Sequence, residues 1–83
     1  MVKIFFVKKK EITILIVDDE PDAVAVLEEL LQDDFNVIPA YGGEEALKIL
    51  SKEQVGMLLC DQKMPRMTGD ELITRTRILY PDT

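Results

Sequence analysis

The segment from Ile12 to Val17 (ITILIV) is hydrophobic except for Thr13, is rich in β-branched side chains and stops at Asp18. A largely apolar run of this length with an acidic stop is typical of a strand buried on both faces of a sheet. The segment Gly56 to Cys60 (GMLLC) repeats the pattern and stops at Asp61. We therefore predict two central strands, each followed at once by an aspartate.

Outside these segments hydrophobic residues recur at three- to four-residue spacing, which predicts amphipathic helices. The first predicted helix begins at Pro21, a residue favoured in the first turn, and ends near Asp33. Its expected buried face consists of Ala23, Val26, Leu27, Leu30 and Leu31. A second helix is predicted over about residues 43–52, with an inward face formed by Ala46, Leu47 and Leu50.

A third helix is predicted from a capping motif at its N-terminus. Thr68 is followed three residues later by Glu71, the spacing of a capping box, after a loop over residues 62–68. The helix is predicted to run to about Leu79, with Leu72, Ile73 and Thr76 facing inward.

A further short strand, Asn36 to Ala40 (NVIPA), lies between the first two helices. Pro39 predicts an edge position for it, because proline has no N–H to donate to a neighbouring strand. The elements then alternate as β-α-β-α-β-α, which with right-handed crossovers predicts an α/β fold with a parallel sheet. The alternation leaves the order of the strands open; if it is 2-1-3, strands one and three are neighbours.

Composition narrows the function classes. The 83 residues carry a net charge of −6, and 47% of them are hydrophobic, which suits one small globular domain. Four of the ten cationic residues lie within the first ten positions, so the remainder is strongly acidic and direct nucleic-acid binding is not expected. The lone Cys60 indicates a reducing, cytoplasmic setting, and no membrane span or signal peptide is expected.

The candidate chemistry lies at the carboxyl ends of the strands, where ligands bind in open parallel sheets. If strands one and three are neighbours, Asp18, Asp19 and Asp61 converge in one cleft. Close carboxylates repel one another, and a hard divalent cation such as Mg²⁺ relieves that repulsion. Taken singly, each acid also fits a plainer role, as a helix cap for Asp18 and Asp19 or as a turn residue for Asp61.

Two motifs carry a family resemblance. The runs DDEP (residues 18–21) and DQKMPRMTG (residues 61–69), each after an apolar strand, resemble the receiver domain of bacterial two-component response regulators. The resemblance implies that Asp61 accepts a phosphoryl group from a sensor histidine kinase, and that the module is not an enzyme beyond its own phosphorylation. It further implies a Mg²⁺ site built from Asp18, Asp19, Asp61 and the backbone carbonyl of Lys63, with Met64 and Pro65 shaping the loop and Gly69 allowing a tight turn into the third helix.

Receiver domains are flavodoxin-like (CheY-like), with five strands in the order 2-1-3-4-5. The predicted elements here account for three of these strands, over residues 12–83, so the resemblance implies the strand order 2-1-3. Residues 1–11 form an N-terminal extension that could add a strand. No residue can be assigned as the family's switch Ser or Thr or as its phosphate-pairing Lys. We expect an incomplete sheet that is completed by homo-oligomerisation or by the extension.

Two other functions compete with the phosphoacceptor role. The chain could instead be an inert fragment that retains the receiver motifs and only self-associates through its open sheet. A Mg²⁺-dependent phosphatase similar to haloacid dehalogenases is disfavoured, because its D-x-D pattern is absent where Asp18, Asp19 and Glu20 are consecutive.

Overall fold

The protein is described by a computed structural model over residues 12–79. Three strands alternate with three helices in this region. They are β1 (Thr13–Val17), α1 (Pro21–Leu31), β2 (Asn36–Ala40), α2 (Gly43–Leu50), β3 (Met57–Cys60) and α3 (Gly69–Leu79). The predicted β-α-β-α-β-α order is confirmed, and α2 ends two residues earlier than its hydrophobic period suggested.

The strands form one parallel sheet in the order β2-β1-β3, as predicted. Val17, the last residue of β1, pairs with Ala40 of β2 on one side and with Cys60 of β3 on the other. All three strands therefore end at the same level. Pro39 lies on β2, which is an outer strand of this three-stranded sheet, so its missing N–H costs no hydrogen bond within it.

Each face of the sheet has its own hydrophobic cluster, because alternate residues of β1 point to opposite sides. Ile14 and Ile16 pack with Val24 of α1 on one face. Leu15 and Val17 pack on the other face with a larger set of residues from β2, α2, α3 and the loops, namely Ala40, Ala46, Leu50, Val55, Met64, Met67 and Leu72. The central strand is thus buried on both faces, as its apolar run predicted.

The buried face predicted for α1 is partly wrong. Val24, which the spacing placed outside the apolar stripe, is fully buried, whereas Val26 and Leu30 are 57% and 69% exposed. Periodicity gives the direction of an apolar stripe, but burial also requires a neighbouring element. In residues 12–79, α1 packs against β1 and β2 only through the side that carries Val24.

The prediction that β3 is buried on both faces is also wrong. Met57 and Leu59 are 46% and 36% exposed. These residues pair with Ile14 and Ile16 of β1 and therefore point to the α1 side of the sheet, where α1 covers β1 without reaching β3. Within residues 12–79, β3 is an outer strand of the sheet, and these two side chains give it one exposed apolar stripe.

The proposed N-terminal extension over residues 1–11, with its candidate extra strand, lies outside the described residues, as do residues 80–83. The domain division at residue 12 stays a prediction. Within residues 12–79 no helix has the length and apolar character needed to cross a membrane.

Candidate functional site

The aspartates that follow β1 and β3 are tied to the sheet by their own backbones. The Asp18 N–H donates to the carbonyl oxygen of Ala40 at 3.1 Å, and the Asp61 N–H donates to the carbonyl oxygen of Val17 at 2.9 Å. Each residue thus extends the parallel ladder one step past the strand ends. The backbone positions of Asp18 and Asp61 are therefore fixed by strand pairing, and both residues lie at the same edge of the sheet.

The side chains of Asp18, Asp19 and Asp61 converge at this edge of the sheet. Each offers a carboxylate oxygen, and these oxygens all lie within 4.8 Å of one another. Three carboxylates at this separation make an all-oxygen donor set, which is what Mg²⁺ and other hard divalent cations prefer. The residues present thus fit a metal ion, and the predicted convergence of these three side chains is seen in the structure.

Local hydrogen bonds orient two of the three carboxylates. Oδ1 of Asp18 accepts the N–H of Glu20 at 3.0 Å, and Oδ1 of Asp61 accepts the N–H of Lys63 at 3.3 Å. Both contacts are Asx turns, in which an aspartate binds the backbone two residues ahead. Each turn engages one lone-pair direction of a carboxylate and leaves others for a cation. That the Lys63 carbonyl is a metal ligand stays a prediction.

The loop between β3 and α3 is anchored by two methionines. Met64 and Met67 are 6% and 5% exposed and belong to the larger core cluster, whereas Pro65 and Arg66 between them are exposed. The loop beside Asp61 is therefore held from below by hydrophobic packing. That Met64 and Pro65 shape this loop for a phosphoryl group stays a prediction.

Gly69 matters for a different reason from the one the sequence suggested. No glycine in the described residues has a positive φ, so the turn into α3 does not need glycine's conformational freedom. A Cβ at Gly69 would instead lie 2.8 Å from the carbonyl oxygen of Asp61 and 3.1 Å from the Cα of Gln62. The missing side chain allows the first turn of α3 to pack directly on the backbone that follows β3.

The predicted cap of α3 at Thr68 is present. The Thr68 hydroxyl oxygen accepts the N–H of Glu71 at 3.1 Å, and the hydroxyl lies 3.4 Å from Oε1 of Glu71, to which it donates. In a full capping box the glutamate would bind the backbone of the cap residue. Here it binds the cap's hydroxyl.

The side chain of Gln62 is a feature that the sequence analysis missed. Its Oε1 accepts the N–H of Asp70 at 2.8 Å, and its Nε2 donates to the Asp70 carboxylate. The carbonyl oxygen of Gln62 also accepts the N–H of Gly69 at 3.3 Å. The only sequence signal was a glutamine in the loop eight residues before an aspartate in a helical first turn, and nothing in that spacing indicates contact.

Cys60 lies directly before Asp61 and is half-buried. Burial raises the pKa of its thiol, and the negative charges of Asp70 and Asp61 raise it further. The thiol also lies 3.8 Å from the carbonyl oxygen of Gly69, to which it donates. All of these contacts favour the protonated thiol, so Cys60 is not set up as a nucleophile or as a metal ligand.

A cavity of about 310 Å³ opens beside the acidic cluster. It lies between the loop that precedes α2 and the loop that precedes α3. Its lining includes Asp19, Tyr41, Glu45, Pro65 and Arg66. A small solute therefore has a route to Asp19 from solvent.

Comparison with known proteins gives one consistent family. The response regulator receiver domain family matches residues 14–83. The hydrogenase transcriptional regulatory protein HoxA of Cupriavidus necator is 36% identical over 73 residues, which cover 88% of this chain and 15% of HoxA. The transcriptional regulatory protein CpxR of Escherichia coli K12 is 40% identical over 65 residues, covering 77% of this chain and 28% of CpxR.

Solved structures show the same likeness. The response regulator TrrA of Thermotoga maritima, in complex with Mg²⁺–BeF, aligns with a TM-score of 0.80 and 35% identity, over 86% of this chain and 63% of that one. The signal receiver domain of an HD domain-containing protein from Pseudomonas fluorescens aligns with a TM-score of 0.83 and 27% identity, over 87% and 58%. The chain therefore spans a small part of the curated regulators and somewhat over half of these two solved chains.

Proposed function

This chain belongs to the response regulator receiver domain family, and we propose that it accepts a phosphoryl group on Asp61 when Mg²⁺ is bound. Receiver domains are generally signalling modules without enzymatic activity of their own. The observation that carries the proposal is the convergence of three carboxylates, with their oxygens within 4.8 Å of one another, at the ends of β1 and β3. The complex of the similar TrrA with Mg²⁺–BeF supports the choice of metal.

The chain's residues divide the work by position. Asp18 and Asp19 would hold the ion, with the backbone carbonyl of Lys63 as a further ligand. When bound, Mg²⁺ supplies positive charge against the oxygens of the transferring phosphoryl group. The Asp61 carboxylate, aimed by its hydrogen bond from Lys63, attacks phosphorus through its other oxygen.

The transfer balances without any further reactant. One bond forms, between an Asp61 carboxylate oxygen and phosphorus, and one breaks, between phosphorus and the donor. With a phosphohistidine donor on a sensor histidine kinase, the departing imidazole nitrogen keeps the electron pair. The product is an aspartyl phosphate next to Asp18 and Asp19.

The test is phosphorylation of the full chain by a small acyl phosphate with MgCl₂, followed by intact mass. We expect the wild-type protein to gain one phosphoryl group, and Asp61→Ala and the wild type in EDTA to gain none. Asp33→Ala removes an exposed carboxylate away from the cluster and should behave as wild type. Circular dichroism establishes that each variant is folded.

Two results would contradict the proposal. A folded wild-type protein that gains no mass with Mg²⁺ is not a phosphoacceptor towards this donor class. A gain that survives in Asp61→Ala would place the modification on another residue. A purified sensor kinase carrying phosphohistidine then tests the natural donor class. The cytoplasmic setting that Cys60 indicates is part of the same proposal. No observation favours the competing role as a fragment that cannot be phosphorylated.

We further propose that two copies associate through the outer edge of β3. Met57 and Leu59 form an exposed apolar stripe on this strand, which has no further strand beside it within residues 12–79. Exposed apolar strand edges pair readily with other chains. Light scattering should show a dimer that weakens in Leu59→Lys, with Leu30→Lys on exposed α1 surface as the matched control. A wild-type monomer at all concentrations tested contradicts this part.

A further inference from the structure

Gln62 makes three hydrogen bonds with α3, and only two of them satisfy backbone N–H groups at the start of the helix. Three of the first free N–H groups of α3 belong to Gly69, Asp70 and Glu71, and each finds an acceptor. Thr68 satisfies one of them, and Gln62 satisfies the other two, one with its carbonyl and one with its side chain. The residue next to the phosphoacceptor candidate is thus joined to the helix by both its backbone and its amide group.

The amide group of Gln62 and the residue Asp70 bind each other reciprocally. The glutamine oxygen takes the backbone N–H of Asp70, and the glutamine nitrogen donates to the Asp70 carboxylate. Two hydrogen bonds at once fix the rotation of the amide as well as its distance from the helix. We refer to this paired contact between Gln62 and Asp70 as the Gln62 clasp.

The clasp acts on the backbone that carries the candidate site. Gln62 lies between Asp61, whose carboxylate belongs to the acidic cluster, and Lys63, whose N–H orients that carboxylate. Gly69 packs without a Cβ against the Asp61 carbonyl, and its N–H donates to the carbonyl oxygen of Gln62, so the first turn of α3 is joined to the backbone at the end of β3. Holding Gln62 against α3 therefore limits the directions that the peptide groups on either side of it can take.

We propose that Gln62 is a positioning residue for the acidic cluster: the Gln62 clasp holds the segment from Asp61 to Lys63 in the arrangement that binds Mg²⁺. The inference rests on the proposed function, because it assigns a supporting residue to the same Mg²⁺ site. Groups that orient metal ligands from behind typically change metal affinity by about 10–100-fold when removed. Gln62 acts through the backbone, so the low end of that range, roughly tenfold, is expected.

The first test compares Gln62→Ala with Gln54→Ala in the full chain. Gln54 is an exposed glutamine just before β3, at the opposite end of the sheet from the acidic cluster. Titration calorimetry with MgCl₂ gives the Kd of each variant, and urea unfolding in EDTA gives its stability without metal. We expect a Kd raised roughly tenfold in Gln62→Ala and unchanged in Gln54→Ala.

A second pair of variants isolates the hydrogen bond from the charge. Asp70→Asn and Asp70→Ala remove the same negative charge, but only asparagine keeps an oxygen that can accept the Gln62 amide. Asp70→Asn should therefore bind Mg²⁺ more tightly than Asp70→Ala. In both Gln62→Ala and Asp70→Ala, amide exchange at the first turn of α3 in EDTA should speed up, which reports the loss of the clasp without any metal.

The outcomes separate this inference from the proposed function. A Kd in Gln62→Ala within twofold of wild type, or equal Kd values in the two Asp70 variants, overturns the positioning role and leaves phosphorylation of Asp61 standing. Tight Mg²⁺ binding by a wild type that takes up no phosphoryl group overturns the proposed function while the comparison of Kd values still decides the clasp. A folded wild type that binds no Mg²⁺ overturns both.

Discussion

A Cβ atom on Gly69 would lie 2.8 Å from the carbonyl oxygen of Asp61. This is closer than two such atoms approach without a shift, and the atom in the way belongs to the backbone. The same peptide segment carries the Asp61 side chain into the acidic cluster. The start of α3 therefore packs directly on the backbone that carries the acidic cluster. A larger residue at position 69 would have to displace either the helix or that backbone.

Gly69→Ala should destabilise the fold. Alanine is favoured over glycine inside a helix by about 1 kcal/mol, which alone would predict a stabilised protein. Overpacking against atoms that cannot give way costs about 1–3 kcal/mol, and the backbone oxygen of Asp61 is such an atom. We expect the overpacking to prevail, with a net loss of about 1 kcal/mol measured by urea unfolding.

Gly42→Ala is the matched control for this substitution. Nothing lies within 4 Å of a Cβ at Gly42, and its backbone is extended, so alanine fits without strain. Its stability should stay within about 0.5 kcal/mol of wild type, because a poorer helix cap is offset by a less flexible unfolded chain. A stabilised Gly69→Ala protein would show that the Asp61 carbonyl can move aside.

Two valines on α1 test the burial that the sequence misjudged. Val24 is fully buried and Val26 is 57% exposed, although they lie on one helix two residues apart. Both valine-to-alanine substitutions change helix propensity equally, so the difference between them reports packing alone. Val24→Ala should lower the free energy of unfolding by about 2 kcal/mol, and Val26→Ala should change it by less than about 0.5 kcal/mol. Equal losses would mean that Val26 is covered in solution.

Sequence reasoning reached the architecture because the information was local. The apolar run of β1 and the acid that follows it predict a buried central strand with a carboxylate at its end, and Pro39 predicts an outer strand. Once the order β2-β1-β3 is assumed, the convergence of Asp18 with Asp61 follows from parallel strands ending at one level. No side-chain geometry was needed for these conclusions.

The failures share one physical cause, which is that burial and hydrogen bonding depend on neighbours distant in sequence. Met57 is an apolar residue in an apolar segment, which is typical of a buried strand, yet α1 does not extend over it. Gln62 reads as an exposed loop residue, and its bonds to Asp70 appear only when the loop is folded onto α3. The role of Gly69 was misjudged because a pattern records that a residue is small without recording what it touches.

Asp19→Asn should reverse its effect on stability when metal is added. In EDTA the substitution removes a like charge from the cluster and should raise the free energy of unfolding, by up to about 1 kcal/mol. In Mg²⁺ at a hundred times the Kd, the wild type should gain about 2.7 kcal/mol from binding, and the variant should gain much less. Far-ultraviolet circular dichroism in urea measures all four conditions, because the chain has no tryptophan.

Asp33→Asn controls for the change in net charge. Asp33 is exposed and lies outside the acidic cluster, so its substitution should leave the Mg²⁺-dependent gain unchanged. An Asp19→Asn protein that gains as much from Mg²⁺ as wild type would exclude Asp19 from the metal site. The sign in EDTA then shows separately whether the three carboxylates repel one another.

The thiol of Cys60 should react slowly, and removing a neighbouring charge should speed it up. Burial, then the charges of Asp70 and Asp61, raises its pKa above the ordinary value of 9.0, which lowers the thiolate fraction at pH 8. In EDTA, Asp70→Asn removes one of the negative charges that raise that pKa, so it should lower the pKa and raise the rate of iodoacetamide alkylation. Intact mass against time gives the rates.

The same pKa predicts how stability changes with pH. Between pH 9.0 and the raised pKa of the folded state, the folded protein holds the Cys60 proton while the unfolded chain has lost it. The free energy of unfolding should therefore fall as pH rises above 9.0, and Cys60→Ala should remove that part of the decline. Alkylation in Asp70→Asn and the alkaline slope depend on the same proton. A faster rate without a flatter slope in this variant would therefore show that the substitution changes access to the thiol rather than its pKa.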